Sequence, residues 1–100
     1  MVIYWLFHKV QTKDIAIKEL RQIPGVGKTI AKDLWNIGFK SISDLKGFDP
    51  HIIYNLHNRC KGTVQDRCML YVFRCTVYYA ETDENIYDNE KLKWWNWKDK

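Results

Sequence analysis

Ile23-Pro24-Gly25-Val26-Gly27-Lys28 lies between two amphipathic stretches, with Leu20 ahead of it and Ala31 and Leu34 behind. Two glycines bracket a hydrophobic residue, and a proline precedes them. Gly25 and Gly27 can take positive φ and carry no Cβ, so the chain can turn tightly and a ligand can approach the main chain closely. The N–H groups released by such a turn open the following helix, where the helix dipole favours an anion such as phosphate.

Periodicity on both sides supports a helical reading. From Asp14, the residues Ala16, Ile17, Leu20 and Ile23 share one face, opposite Lys18, Glu19 and Arg21. Pro24 ends that helix because the residue before a proline is pushed out of the α region. A second helix is expected from Gly27 or Lys28 to about Asn36 or Ile37, with Gly38 as its C-terminal cap. Ser41-Ile42-Ser43-Asp44 reads as a capping box opening a short helix through Lys46. Asp49-Pro50 starts a fourth helix, which should run to about Asn58. Thr63-x-x-Asp66 predicts a second capping box and a long helix from about Val64 to Ala80. On that helix Val64, Cys68, Tyr71, Val72, Cys75 and Tyr79 form one stripe, and Leu70, Phe73, Val77 and Tyr78 widen it. No convincing alternating strand is found, so the fold class is all-α.

Outside this pattern lie residues 1–13, read as an N-terminal arm or as residues ahead of the native start. Residues 14–80 form the helical domain, and residues 81–100 are an acidic connector followed by Lys91-Leu92-Lys93-Trp94-Trp95-Asn96-Trp97-Lys98. One hundred residues make a single small domain. The net charge of +4 permits a polyanionic partner without requiring one. Cys60, Cys68 and Cys75 are odd in number and lack a C-x-x-C pair, which fits a reducing, cytoplasmic setting. Cys68 and Cys75 lie about 10 Å apart along one helix, too far to share a tetrahedral ion. Buried structural thiols are the expectation, and no metal or cofactor is expected. Met1 to Phe7 is too short to span a bilayer, so no membrane partner is expected.

The hairpin with its Ala31, Leu34, Gly38 and Ser41-Ile42-Ser43-Asp44-Leu45 continuation resembles the helix-hairpin-helix motif of DNA repair and recombination proteins. Cys60-Lys61-Gly62-Thr63 between the last two helices then resembles a second, degenerate hairpin, with one glycine and no proline. The resemblance implies a tandem helix-hairpin-helix domain of five short helices, and the aromatic C-terminal segment is expected to pack on it because tryptophan buries so much area. From about Asp14 to the terminal tryptophans, the chain also looks similar to the small bacterial pathogenicity-locus family. Some members of that family carry a mitomycin-resistance label.

Carried over residue by residue, the motif implies phosphate contacts at Gly25, Gly27, Lys28 and Thr29. Val26 would plug the turn, and Lys32 would add charge one turn on. Lys61, Gly62 and Thr63 are the corresponding positions of the weaker hairpin. The implied function is sequence-independent DNA binding through backbone phosphates, in a repair or recombination setting. The alternative is a protein-interaction adaptor using the scaffold and the Trp-rich tail. Gly27-Lys28-Thr29 is not a P-loop, since Gln22 stands where the first glycine belongs and no strand precedes it. No Ser/His/Asp set, H-E-x-x-H or paired carboxylates stand out, so the chain is expected not to be an enzyme. Trp94, Trp95 and Trp97 could stack on unpaired bases or fold back over the core.

Overall fold

In a computed structural model, which describes residues 13–83 and 86–99, the chain is helical without a strand among those residues. Four α-helices follow one another: α1 at 13–20, α2 at Lys28–Ile37, α3 at Pro50–Lys61 and α4 at Cys68–Glu81. Short 3₁₀ turns occupy Ile42–Leu45, Asn89–Leu92 and Trp94–Trp97. The N-terminal arm expected before Lys13 lies outside the described residues.

α4 is the central helix. Its Leu70, Val72, Phe73, Cys75, Thr76 and Val77 are buried, and it packs against α3, the Ile42–Leu45 turn and both turns of the tail. Around Phe73 the core gathers Leu20 and Ile23 with Val26, Ala31 and Leu34, then Phe39, Leu45 and Ile53. The Thr76 hydroxyl is satisfied inside the core by donating to the Val72 carbonyl at 2.8 Å.

The helix ends show where local chemistry decides. α1 closes at residue 20, three short of Ile23. Its last turn tightens, with Gln22 N–H donating to Glu19 O and Ile23 N–H to Leu20 O. α2 ends in a Schellman motif: Gly38 N–H donates to Trp35 O, and Phe39 N–H donates to Leu34 O at 2.9 Å. Leu34 and Phe39, the two residues that motif brings together, are both buried. Asp49 caps α3 as expected, accepting from His51 N–H at 2.9 Å ahead of Pro50. α3 then runs on to Lys61, three residues beyond Asn58, until Gly62 turns left-handed at φ 75°.

Neither capping box forms in the way expected. Asp44 accepts from Lys40 N–H at 2.9 Å instead of from Ser41, and the Ser41 hydroxyl meets that of Ser43. The Ile42 N–H is taken by Glu19 of α1 at 3.0 Å. What was expected as the third of five helices is therefore a four-residue 3₁₀ turn, leaving four α-helices among the described residues. Before α4, Asp66 rather than Thr63 takes an orphan donor, Cys68 N–H at 2.9 Å, so the helix starts a turn late. The intervening loop is held by α3: Asn58 accepts Gln65 N–H at 2.8 Å, and Tyr54 donates to Gln65 O at 2.6 Å. Val64 consequently sits off the helix and exposed, and the fully enclosed positions of α4 are Leu70, Phe73, Cys75 and Thr76.

The C-terminal segment lies on α4. Arg74 donates to Trp97 O at 2.8 Å and pairs with Asp99 at 2.8 Å, while Arg67 pairs with the other Asp99 oxygen at 2.6 Å. These guanidinium hydrogen bonds hold the Asp99 carboxyl below its ordinary range. Tyr87 stacks on Tyr79 at 5.0 Å, and Trp97 donates its indole N–H to Lys91 O at 2.7 Å. Because Phe73 is fully enclosed, Phe73→Ala should destabilise the fold by about 3–5 kcal/mol, read as a lower midpoint in urea unfolding.

Candidate nucleic-acid interface

The 23–26 turn follows from its four residues. Val26 N–H donates back to Ile23 O at 3.0 Å, with Pro24 and Gly25 between them and Gly25 at φ 86°. Proline then glycine at these positions is the sequence of a type II turn, whose third residue must take positive φ. The turn aims both flanking side chains inward, and Ile23 and Val26 are buried. Gly27 follows in extended conformation as the N-cap of α2, its carbonyl taking Ala31 N–H at 2.9 Å.

Glycine has no side chain to cap with, so the first donors of α2 stay open. Among the described residues no acceptor takes the N–H of Gly25, Gly27, Lys28 or Thr29, and all four residues are exposed. Lys28 and Lys32 are exposed one turn apart on α2, with Lys18 exposed on α1 and Arg21 exposed just after its end. A shallow depression between α1 and the turn is lined by Lys18, Arg21 and Gln22. None of these four cations has an acidic partner among the described residues. Elsewhere Lys61, Arg67, Arg74 and Lys93 are paired, whereas Lys46 and Arg59 also have no acidic partner among the described residues.

The second turn is built differently. Gly62 is the left-handed cap of α3, its N–H donating to Arg59 O at 3.3 Å, and five residues separate it from the start of α4. Its amide is thus used within the chain. Lys61 reaches back to α2 and pairs with Asp33 at 3.0 Å. Thr63 is exposed, and its carbonyl accepts from the Gln65 side chain. The sequence-expected residues therefore divide: Gly25, Val26, Gly27, Lys28, Thr29 and Lys32 gather on one turn and helix start. Lys61, Gly62 and Thr63 do not form a matching cradle.

Asp33 was not anticipated. Buried on α2, it accepts from His57 Nε2 at 3.0 Å as well as from Lys61, and so fastens α2 to α3. The His57 ring lies edge-on to Phe73 at 5.4 Å, and its Nδ1 is buried without a partner among the described residues. A signal was present in the spacing. Asp33 stands between Ile30 and Ile37 on the inner side of α2, and Ile53, His57 and Lys61 follow each other at helical intervals on α3.

The tryptophan cluster also divides. Trp94 packs against the core and against the first hairpin, where a Cβ on Gly25 would meet its Cδ1 at 3.1 Å. Trp97 covers Tyr78 of α4 at 5.6 Å. Trp95 is left 50% exposed, edge-on to Trp94 at 5.8 Å. Of the cysteines only Cys75 is buried, against the expectation of three buried thiols. Burial pushes the Cys75 thiol up to about 11. Cys68, exposed at the start of α4, is raised by its hydrogen bond to Asp66.

The profile of a family described as Pathogenicity locus matches residues 13–100. The chain belongs to the pathogenicity-locus family. No curated protein and no solved structure matches it. The family match spans the hairpin, all four helices and the tail, so these parts belong together in that family. Among the described residues no three His, Cys, Asp or Glu side chains gather to hold a metal ion, and no helix is long and apolar enough to cross a membrane.

Two measurements check this geometry. Gly25→Ala should destabilise by about 2 kcal/mol, from positive φ and the close Trp94 ring together. In a Trp94→Ala background that penalty should fall to the backbone part, about 1 kcal/mol. In thiol labelling of the folded protein, Cys75 should stay unmodified. Asp66→Asn should speed labelling of Cys68, because removing the carboxylate favours the thiolate.

Proposed function

We propose that this member of the pathogenicity-locus family binds DNA through backbone phosphates, without reading sequence, at the α1–α2 turn. On this reading α1, the 23–27 turn and α2 form a helix-hairpin-helix unit. α3 and α4 form its degenerate partner, which supports the first unit rather than binding beside it. The observation that carries the proposal is the open start of α2. The N–H groups of the exposed residues Gly25, Gly27, Lys28 and Thr29 have no acceptor among the described residues, and Lys28 and Lys32, without acidic partners among those residues, stand on the same helix start. Amide donors at a helix start suit a phosphate oxygen, and the lysines add charge that water alone otherwise balances. The second unit's part is mechanical: Asp33 draws Lys61 and His57 onto α2, holding the helix that presents the amides.

The adaptor reading has less to work with. Trp94 and Trp97 of the tail are engaged by the chain itself, leaving Trp95 as the exposed ring.

Binding to a labelled duplex and to a labelled single strand across a salt series tests the proposal. The logarithm of the binding constant should fall linearly with the logarithm of salt concentration. Lys28→Ala with Lys32→Ala should weaken binding and reduce that slope by about 2, one per lost phosphate contact. Lys28→Glu with Lys32→Glu should abolish binding while thermal unfolding stays near that of the parent protein. Binding that is indifferent to both pairs, or absent at low salt, would sink the proposal.

A further inference from the structure

Trp95 is the feature of the tail that packing does not explain. Its neighbours Trp94 and Trp97 both find protein to cover them, yet Trp95 keeps half its surface in water. It is nonetheless not on a loose end. Before it, Trp94 is wedged against Gly25 and the core. After it, the Asn96 backbone N–H donates to Lys93 O at 3.0 Å, and the Asn96 side chain donates to Glu90 O at 2.8 Å. Trp97 is fixed by its indole bond to Lys91 O and by Arg74 on its own carbonyl. Trp94 meets the Trp95 ring edge-on, at an interplanar angle of 86°. An exposed aromatic face held this firmly loses little entropy when something stacks on it.

Its position suggests what would stack. Trp94 lies against Gly25 of the turn whose amides have no acceptor among the described residues, and the Trp95 ring meets Trp94 at 5.8 Å between centroids. An exposed ring packed on the residue that backs a cationic, donor-rich turn matches a nucleotide, which carries a π-face on one side and a phosphate on the other. A paired base in intact duplex hides that face in the helix stack. An unpaired base presents it.

We infer that Trp95 is a stacking platform for an unpaired base of a DNA strand whose phosphate is held at the α1–α2 turn. The ligand is therefore DNA with a single-stranded stretch, in preference to continuous duplex. This rests on the phosphate-binding reading of the turn and adds the form of DNA to it.

The test is fluorescence anisotropy of the full chain with a labelled DNA single strand, and with the same strand annealed to its complement, at low salt. Trp95→Ala should weaken single-strand binding about ten-fold and leave duplex binding unchanged. Trp95→Phe should recover most of the loss, and Lys28→Ala with Lys32→Ala should weaken both forms. If Trp95→Ala changes neither form, or weakens both equally, stacking is overturned while the phosphate reading stands. If single-strand binding depends on Trp95 but not on the two lysines, the phosphate is held elsewhere and the shared site is overturned. A chain that binds neither form overturns both readings.

Discussion

The backbone reversal at 23–26 depends on a single hydrogen bond, Val26 N–H to Ile23 O, across a proline and a glycine. Two consequences follow from that short span. Ile23 and Val26 both enter the core, so α1 and α2 are tied to it by the turn itself as well as by their own faces. Gly27 is left as a cap without a side chain, so the helix that follows begins with its donors open. The same geometry that buries the hairpin's apolar residues exposes its polar main chain. A serine or aspartate at Gly27 would cap the helix and compete with any external anion for the same amides.

Much of this was legible in the residues. The first hairpin, the Gly38 cap, the Asp49-Pro50 start and the central role of the last long helix are all written locally, where proline, glycine and helical spacing act over a few positions. What was not legible depended on residues far apart in sequence. Glu19 takes the Ile42 amide that the Ser41 box was expected to organise, and α3 side chains hold the Thr63 loop open, delaying α4. A capping signature states which donors a side chain can satisfy. It does not say which other acceptors will be nearer once the chain is folded.

The distribution of charge tells the same story at the surface. A net charge of +4 says little, because it averages over cations that do different things. Arg67 and Arg74 clasp Asp99 to hold the tail, and Lys61 answers a buried carboxylate. Those side chains serve the fold. Around the first turn, Lys18, Arg21, Lys28 and Lys32 have no such duty among the described residues. Position, more than number, separates these cations from those that hold the fold.

The contact of Trp94 with Gly25 has a temporal side as well. During synthesis Gly25 leaves the ribosome long before Trp94, so the early helices can pair while the ring that backs their turn does not yet exist. Closing a contact of such long range comes late and slowly compared with forming the local turn. The hairpin is thus made early but finished late, and a nascent chain halted before Trp94 would carry the open amides without the ring that braces them.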